Sequence, residues 1–359
     1  MIVESIELEN NVSKVVSQYF PQAKVQNIKV IESGHINATY RVDVFEEEGK
    51  EASYLLQKLN TEVFKNPNSV MENINRCARF LHDFTEGYPY EILTPYKTEK
   101  EGSFLVKNES GYWRLFNFVE NTISLDKITT GEEAFQIGNA FGTFLFYVNG
   151  DNVTEYNITI PNFHDFTSRY AQFVKFLKPY DIKKFDSEVQ NLILEIEGYS
   201  REYINLDKVE IPLRLIHHDT KANNVLLDES TGSPKCIIDL DTLMPGSIFS
   251  DFGDLIRTVL NPFEEDNFLD NNKKIDINIF NNLSKGFLLP LNEILTNNEK
   301  DYLIKGGKRI ILLQVLRFLE DYLRGNIYYQ VDYDKHNLIR AQSQMNLFKA
   351  IERTELSLH

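Results

Sequence analysis

The sequence contains little cysteine and no long apolar run. Its two cysteines, Cys77 and Cys236, lie far apart, and neither belongs to a CxxC pair. They are too few for a cysteine-based zinc site or a disulfide framework, which favours a reducing compartment. The most apolar stretches, such as residues 140–148, are much shorter than the ~20 residues that cross a bilayer. The first twenty residues also lack the apolar segment of a secretory signal, so we predict a soluble, cytoplasmic protein.

Basic residues are also in short supply. The chain has 38 Lys and Arg against 53 Asp and Glu, which gives a formal net charge of −15. This balance disfavours a smooth basic face for nucleic acid and a polybasic membrane anchor. Hydrophobic residues make up 42% of the chain, as in ordinary globular proteins with enough material for a core. We therefore predict small-molecule partners, no nucleic acid or membrane partner, and a monomer as the favoured state.

The order of predicted elements divides the 359 residues into two parts. From residue 25 to about residue 118, strand-like runs alternate with turn signals, and one amphipathic helix, 69–84, interrupts them. The remainder favours helix, whereas the Asn-rich segment 261–282 is predicted as a polar loop in which residues 275–280 could begin a helix. We predict an α+β fold with two lobes joined near residues 117–121. The N-terminal lobe, 1–118, has an antiparallel sheet and one main helix, and the C-terminal lobe, 119–359, is mostly helical.

The strongest chemical signal is a predicted β-hairpin with polar residues at its open end. Residues 225–228 and 235–238 are short strands around a Thr-Gly-Ser-Pro turn. Their pairing places Asn224 beside Asp239, with about 5 Å between the Cβ atoms. An amide oxygen and a carboxylate held together form a half-site for Mg²⁺, which takes few protein ligands and completes its shell with phosphate and water.

A second carboxylate, Asp219, comes five residues before Asn224 in a loop that returns to the same end of the hairpin. One carboxylate can therefore bind metal while Asp219 orients and deprotonates a substrate hydroxyl, which is the division of labour that phosphoryl transfer needs. Lys221 is close enough in sequence to reach the transferred phosphate as a point charge. The alternative is an ordinary hairpin with capping Asn and Asp residues.

The adjacent His217 and His218 also suggest a zinc site, but no third ligand stands at a suitable spacing. His217 is instead predicted to be buried and to hold the loop by hydrogen bonding. An Asp-Phe-Gly triplet at 251–253 looks like a kinase metal motif, yet it follows well after the hairpin, whereas Asp239 directly ends the second strand. We therefore assign metal binding to Asp239 and give Asp251 a structural role, bracing the catalytic loop from the start of a helix.

The pattern HxDxxxxN, followed by a hairpin and Asp, resembles the catalytic loop of the protein-kinase-like superfamily in its aminoglycoside and choline kinase branch. Only twelve positions separate Asp239 from Asp251. This spacing leaves no room for the long segment with which protein kinases present a peptide. A small-molecule acceptor is therefore favoured.

The N-terminal lobe fits this resemblance less specifically. A turn with Ser33 and Gly34 would cover the phosphates, although GxGxxG is absent and an ordinary hairpin turn has the same pattern. Gln57 and Lys58 point to opposite faces of the third strand, so only one can face the nucleotide, and the sequence leaves both open. Glu72 on the following helix is the natural partner of a strand lysine, with a solvated glutamate as the alternative.

Backbone groups of the hinge, which includes Asn117 and Val119, would contact adenine.

Several segments taken together resemble one branch of that superfamily, the N-acetylhexosamine 1-kinases, over nearly the whole chain. They include SGHINATY at 33–40, LLQKLN at 55–60, HDTKANNV at 218–225 and IDLDTLMPG at 238–246. The resemblance implies ATP- and Mg²⁺-dependent phosphorylation of the anomeric hydroxyl of N-acetylglucosamine or N-acetylgalactosamine, giving the sugar 1-phosphate and ADP. This hemiacetal hydroxyl is more acidic than an ordinary alcohol, so a carboxylate base of modest strength suffices.

The same resemblance implies that Arg317 and Tyr328 bind the sugar, that His35 closes over it from the other lobe, and that Asp219 and Asp239 also face it. Arg317 belongs to a polar stripe at helical spacing on residues 314–324. A solvated face with an Arg317–Asp321 ion pair is the alternative explanation of this stripe.

Two other functions remain open from the sequence. One is a small-molecule kinase of the same fold that acts on methylthioribose, homoserine, choline or an aminoglycoside. The other is a non-catalytic nucleotide-binding module, against which the intact Asp219, Asn224 and Asp239 argue. Residues 261–282 depart most from the family, and acceptor preference could differ there.

Overall fold

A computed structural model describes residues 2–31, 36–46, 49–84, 86–262, 274–354 and 356–358. The chain forms two compact units that combine separate segments. The first consists of Met1–Ile123, Thr154–Ile160 and Leu226–Met244, and the second of Ser124–Val153, Pro161–Val225 and Pro245–His359. The division at residue 118 stays a prediction, and most of the predicted hairpin belongs to the first unit.

The first unit contains a five-stranded antiparallel sheet. Its strands are β1 (Lys24–Ile31), β2 (Ala38–Phe45), β3 (Glu51–Leu59), β4 (Val106–Asn108) and β5 (Gly111–Asn117), in the order β1-β2-β3-β5-β4. An additional helix, α1 (Ile2–Tyr19), was not predicted. Its Val12, Val15, Val16 and Tyr19 share one buried cluster with the sheet, because they recur at the three- and four-residue spacing of a helix face.

Two further elements of the first unit carry predicted site residues. Helix α2 (Pro67–Phe84) contains the predicted helix 69–84 and buries its apolar face, including Met71 and Ile74. A three-stranded sheet has the order β6-β8-β9, with β6 (Thr122–Ile123), β8 (Val225–Asp228) and β9 (Pro234–Ile237). The hairpin turn between β8 and β9 has Gly232 in a left-handed conformation, with φ of 70°.

The second unit is mainly helical, as predicted. It contains α3 (Gly131–Val148), α4 (Phe166–Leu177), α5 (Ser187–Ile204), α6 (Ile248–Val259), α7 (Ile277–Leu291), α8 (Asn297–Leu323) and α9 (His336–Glu352). Short strands β7 (Arg214–Ile216) and β10 (Met244–Gly246) form a two-stranded sheet. Helices α3 and α7 cross closely: a Cβ at Gly138 would lie 2.2 Å from the carbonyl oxygen of Leu283, so only glycine fits there.

Helix α7 begins at Ile277, within residues 275–280 where the sequence prediction allowed a helix to begin in the otherwise polar loop 261–282. The carboxylate of Asp276 accepts from the backbone N–H groups of Asn278 and Ile279 and caps the helix. Asparagine is a poor helix former, but burial of Phe280 and its apolar neighbours outweighs that preference. Residues 263–273 lie outside the described part of the chain. Among the described helices, none combines the length and apolarity that crossing a bilayer requires.

Candidate active site

Asp219 is held in a short loop between β7 and β8 by contacts within that loop. Its backbone N–H donates to Nδ1 of His217 at 3.2 Å, and His218 has a left-handed backbone with φ of 65°. A single 3-10 turn, Ala222–Asn224, returns the chain to Asp219. Nδ2 of Asn224 donates to the Asp219 carbonyl oxygen at 2.8 Å and to its Oδ2 at 3.2 Å. The structure therefore brings Asp219 and Asn224 together.

The carboxylate of Asp219 lies beside a lysine. Nζ of Lys221 is 2.8 Å from Oδ2 of Asp219. Burial raises the pKa of Asp219, but the Lys221 ammonium and its hydrogen bond outweigh burial and hold that pKa below its usual range. An ionised carboxylate is therefore present at neutral pH and can accept a proton from a hydroxyl group. Lys221, predicted to contact a phosphate, contacts Asp219 in this structure.

Asp251, at the start of α6, lies against the loop that carries Asp219. Its Oδ2 accepts from the backbone N–H of His217 at 2.8 Å and its Oδ1 from that of His218 at 2.7 Å. The hydroxyl of Thr220 donates to the Asp251 carbonyl oxygen at 2.6 Å. His217 is itself buried, with its ring against the edge of Phe141. These contacts fix the backbone on which Asp219 stands.

Burial raises the pKa of Asp251 to about 6. Because the ordinary value is ~3.9, the folded state holds this proton more tightly than the unfolded chain, and the contribution of Asp251 to the free energy of unfolding falls as pH rises through that interval. We expect the stability advantage of wild type over Asp251→Asn to shrink by about 2 kcal/mol between about pH 4.5 and pH 7 in urea denaturation. A constant advantage would mean that the carboxyl keeps one protonation state over this range.

The donor set predicted for Mg²⁺ has the right chemistry. Both hydrogen bonds of the Asn224 side chain use Nδ2, and no described residue donates to its Oδ1. Asp239 has a left-handed backbone with φ of 59°, a conformation that non-glycine residues rarely adopt outside turns and functional sites. In the described ranges no three His, Cys, Asp or Glu side chains form a metal-binding group, so phosphate and water would have to complete the shell. Asn224 and Asp239 belong to different compact units, and their pairing stays a prediction.

A buried polar network in the first unit contains an arginine that was not predicted. The strand register aligns Thr39, Gln57 and Arg114 across β2, β3 and β5. Oε1 of Gln57 accepts from Nε and Nη2 of Arg114 at 3.0 and 2.8 Å. Nη1 of Arg114 lies 2.5 Å from Oδ1 of Asp241, whose Oδ2 accepts from Asn37 at 2.7 Å. The Arg114 and Asp241 side chains are only 2% and 3% exposed, so each charge depends on the other.

The same register places Gln57 and Lys58, the two β3 residues of which one was predicted to face the nucleotide, on opposite faces of the sheet. Gln57 lies with Arg114, whereas Lys58 lies on the opposite face, where its Cε is 3.2 Å from the position of a Cβ at Gly111. Arg114 therefore supplies a cation on the Gln57 face. Arg114 could have been noticed in the sequence because it stands inside the apolar run of a central strand. A buried arginine requires a charged or polar partner, so this position predicts one.

Glu72, predicted to partner a strand lysine, is exposed on α2. Its Oε2 accepts from Nδ2 of Asn157 at 3.0 Å, and no described contact joins it to Lys58. The neighbouring Asn73 is buried, and its Nδ2 donates to the backbone oxygens of Asn157 and Leu243 at 2.8 and 2.9 Å. Asn73 thereby ties α2 to the segment that follows the predicted metal ligand.

The predicted hinge residues have a bracing role. Oδ1 of Asn117 accepts from the backbone N–H of Thr94 at 2.7 Å, and its Nδ2 donates to the Ile92 carbonyl at 3.1 Å. Val119 is buried. Three predicted residues lie outside the described part of the chain: Ser33, Gly34 and His35.

Arg317 and Tyr328, predicted to bind the acceptor, lie together at the end of α8. The guanidinium carbon of Arg317 is 5.8 Å from the ring centre of Tyr328, 5.5 Å from that of Tyr329 and 5.1 Å from that of Phe163. These distances are within the range of cation–π attraction. Nη1 of Arg317 also donates to Oε1 of Gln314 at 3.3 Å. Phe163 and Tyr329 were not predicted, since nothing local in the sequence marks them.

The alternative of a solvated Arg317–Asp321 pair is wrong. Asp321 is only 5% exposed. Its Oδ1 accepts from the backbone N–H groups of Ile327 and Tyr328 at 3.0 and 2.8 Å, and its Oδ2 from that of Tyr329 at 3.0 Å. The carboxylate therefore fixes the turn that carries Tyr328.

A family model for the phosphotransferase enzyme family matches residues 27–275. Similar solved structures include an aminoglycoside phosphotransferase from Alicyclobacillus acidocaldarius (TM-score 0.62, 12% identity, 95% of each chain covered). Others are a spectinomycin phosphotransferase in complex with ADP and spectinomycin (0.59, 16%, 96% of this chain and 98% of that one) and the Plasmodium vivax ethanolamine kinase (0.56, 14%, 91% and 84%). At these identities the structures show the fold alone, and the predicted kinase-like α+β fold is confirmed. The chain therefore belongs to the phosphotransferase enzyme family.

Proposed function

We propose that this protein transfers the γ-phosphoryl group of ATP to the anomeric hydroxyl of an N-acetylhexosamine, N-acetylglucosamine or N-acetylgalactosamine. The observation that carries the transfer is the ionised Asp219, held by Asn224 and adjoined by Lys221 at 2.8 Å. The choice of sugar rests on the sequence resemblance and on the placement of Arg317 beside Tyr328.

In this mechanism Asp219 accepts the proton of the acceptor hydroxyl as the oxygen attacks the γ-phosphorus. The bond from the γ-phosphorus to the bridging oxygen breaks, and ADP leaves. Mg²⁺, held by Asn224 and Asp239, would neutralise charge on the phosphates. Lys221 is half-exposed at the end of a flexible side chain, and we expect it to turn from Asp219 to the transferred phosphoryl group when ATP binds. This movement would release the carboxylate and raise its pKa, which strengthens the base at the moment of transfer.

The acceptor role of Arg317 has a direct test. Arg317→Ala removes the guanidinium that contacts Tyr328 and Gln314. We expect the KM for the sugar to rise about tenfold or more, as for loss of a charge-assisted hydrogen bond, while the KM for ATP stays within about twofold. Arg324→Ala is the matched control directly after the same helix, because Arg324 pairs with Glu320 and its loss should leave both constants unchanged. Equal effects of the two variants would contradict the assignment.

A second candidate function is phosphorylation of a cationic acceptor. The similar structures of a spectinomycin phosphotransferase and an ethanolamine kinase, whose acceptors carry amino groups, favour it, as does the acidic net charge of −15. ADP release measured over a panel of acceptors, with ³¹P NMR of the product, separates the two candidates. A product phosphorylated at C1 of N-acetylglucosamine supports the proposal, whereas transfer only to aminoglycosides or amino alcohols would replace it. ATP binding without transfer to any acceptor would favour a non-catalytic module.

A further inference from the structure

An arginine on β2, Arg41, lies on the face of the sheet that carries Gln57. The register pairs Arg41 with Leu55 on β3, two positions from Gln57. Because alternate residues of a strand point to the same face, Arg41 shares the face of Gln57 and lies about 7 Å farther along it. The displacement is toward the hinge, residues 117–121, whose Glu120 contacts Arg41. Arg41 therefore lies between the buried polar network of Gln57 and the hinge.

Every nitrogen of the Arg41 side chain donates a hydrogen bond. Nε donates to Oδ1 of Asp43 at 2.7 Å, and Nη1 donates to Oε2 of Glu120 at 3.1 Å. Nη2 donates to Oε1 of Glu120 and to the hydroxyl of Ser53, both at 2.9 Å. Ser53 in turn donates to Oδ1 of Asp43 at 2.7 Å. These contacts fix the plane of the guanidinium group and leave its two faces as the surfaces on which a ligand can bind.

The surroundings of Arg41 suit an uncharged ligand better than a phosphate. Two carboxylates, Asp43 and Glu120, face one guanidinium group, so the cluster is negatively charged as a whole. One face of the group lies over the ring of Phe118, with 4.5 Å between the guanidinium carbon and the ring centre. Among the described residues no second ring covers the group, and 31% of the Arg41 side chain is exposed. Arg41 therefore offers a flat, fixed and open face.

The hinge backbone beside Arg41 has a donor without an acceptor. Phe118 and Glu120, which both contact Arg41, flank Val119 in the chain. Val119 is buried, and its carbonyl oxygen accepts from the hydroxyl of Thr122 at 3.1 Å. Its N–H group, however, donates to no residue in the described part of the chain. Because a buried N–H without a partner is costly, this donor indicates that a ligand with an acceptor atom binds next to Arg41.

We propose that the open face of Arg41 stacks on the base of the nucleotide. A guanidinium group stacks on aromatic rings through cation–π attraction and planar contact. A purine is flat, aromatic and uncharged, and ring nitrogens along its edge accept hydrogen bonds, which suits the N–H of Val119. Stacking uses the face of the ring, so we expect the contact for adenine and guanine alike. The inference rests on the proposed function for the presence of a nucleotide donor, ATP.

The test measures the binding of the base and of the phosphates separately, by isothermal titration calorimetry with ATP, adenosine and inorganic tripolyphosphate. Arg41→Met removes the planar group, so the Kd for ATP and the Kd for adenosine should rise by the same factor, about fivefold to tenfold. The Kd for tripolyphosphate should stay within about twofold, because the charge of Arg41 is already matched by carboxylates. Arg79→Met is the matched control: it removes an exposed arginine from α2 of the same unit and should change none of the three constants.

Arg41→Lys separates stacking on the base from bracing of the hinge. Lysine keeps the charge that pairs with Glu120 but has no planar group, so we expect this variant to weaken adenosine almost as much as Arg41→Met does. Recovery of wild-type binding by lysine would mean that Arg41 only braces the hinge, and would overturn the inference. Urea denaturation of both variants checks that the losses occur in folded protein.

The outcomes also separate this inference from the proposed function. Unchanged Kd values for ATP and adenosine in Arg41→Met overturn the inference, even if N-acetylglucosamine is phosphorylated. Equal losses for adenosine and tripolyphosphate overturn it as well, because the effect is then not specific to the base. The expected losses in a protein that phosphorylates no N-acetylhexosamine support the inference and overturn the proposed function. The same holds if wild type binds GTP and guanosine instead of ATP and adenosine, with the same losses in Arg41→Met. A wild type that binds neither purine nucleotide overturns both.

Discussion

Asp219→Asn is expected to lower kcat by about 10³-fold, within the ~10²–10⁴-fold that a positioned general base supplies. The amide has nearly the shape of the carboxylate but cannot take the proton of the acceptor hydroxyl. Asn224 donates to the backbone oxygen of residue 219 at 2.8 Å, and that contact is independent of the side chain. The loop should therefore keep its conformation, and the loss should fall on turnover alone.

Nucleotide binding, unlike turnover, should not be weakened by Asp219→Asn. In wild type Lys221 is held 2.8 Å from Asp219. Loss of the negative charge frees Lys221 for the phosphates, so the Kd for ATP, measured by isothermal titration calorimetry, should be unchanged or lower. Asp228→Asn is the control, since Asp228 accepts hydrogen bonds from Ser230 and Thr231 in the hairpin turn and pairs with Lys235 at 3.6 Å on the same hairpin. A kcat within about tenfold of wild type would exclude Asp219 as the base.

Local sequence patterns predicted those helices and contacts that form between residues close together in the sequence. Helix α2 followed from apolar residues at three- and four-residue spacing, and the grouping of Asp219 with Asn224 followed from a five-residue separation. Helix α1 was equally accessible, because Val12, Val15 and Val16 show the same spacing, but its Asn-rich context obscured the pattern. Helix α7 was missed in part for the same reason.

Contacts between distant segments could not be predicted in this way. Arg114 and Asp241 are 127 residues apart, and no periodicity links a strand arginine to a particular carboxylate. Glu72 was expected to pair with a strand lysine because it stands on the helix that follows the strand. The actual cation on that face, Arg114, lies opposite Gln57 because of the strand register, and the register is known only from the folded sheet. The contact of Phe163 with Arg317 on α8 likewise joins segments that are far apart in the sequence.

Arg114→Met is expected to lower the free energy of unfolding by about 3–5 kcal/mol, because it leaves Asp241 charged and buried without its cation. Gln57 would also lose two donors. Arg41→Met is the matched control on the same sheet: Arg41 is 31% exposed and pairs with Asp43 and Glu120, which are 29% and 47% exposed, and the loss of these partly exposed pairs should cost no more than about 1 kcal/mol. Urea denaturation of both variants measures the difference. A decrease in the free energy of unfolding below about 1 kcal/mol for Arg114→Met would mean that water or another group already stabilises the charge of Asp241.

The double variant Arg114→Met with Asp241→Leu separates the stabilising role of the pair from a positioning role. Well-packed apolar replacements of a buried ion pair are often neutral, so the double variant should recover most of the lost stability. It should not recover activity, because Asp241 stands two residues after Asp239 and also binds Asn37, which follows the predicted phosphate turn. We expect the half-saturating Mg²⁺ concentration and the KM for ATP to stay raised about tenfold in a variant that unfolds like wild type. Recovery of stability and both constants together would reduce the pair to a structural contact.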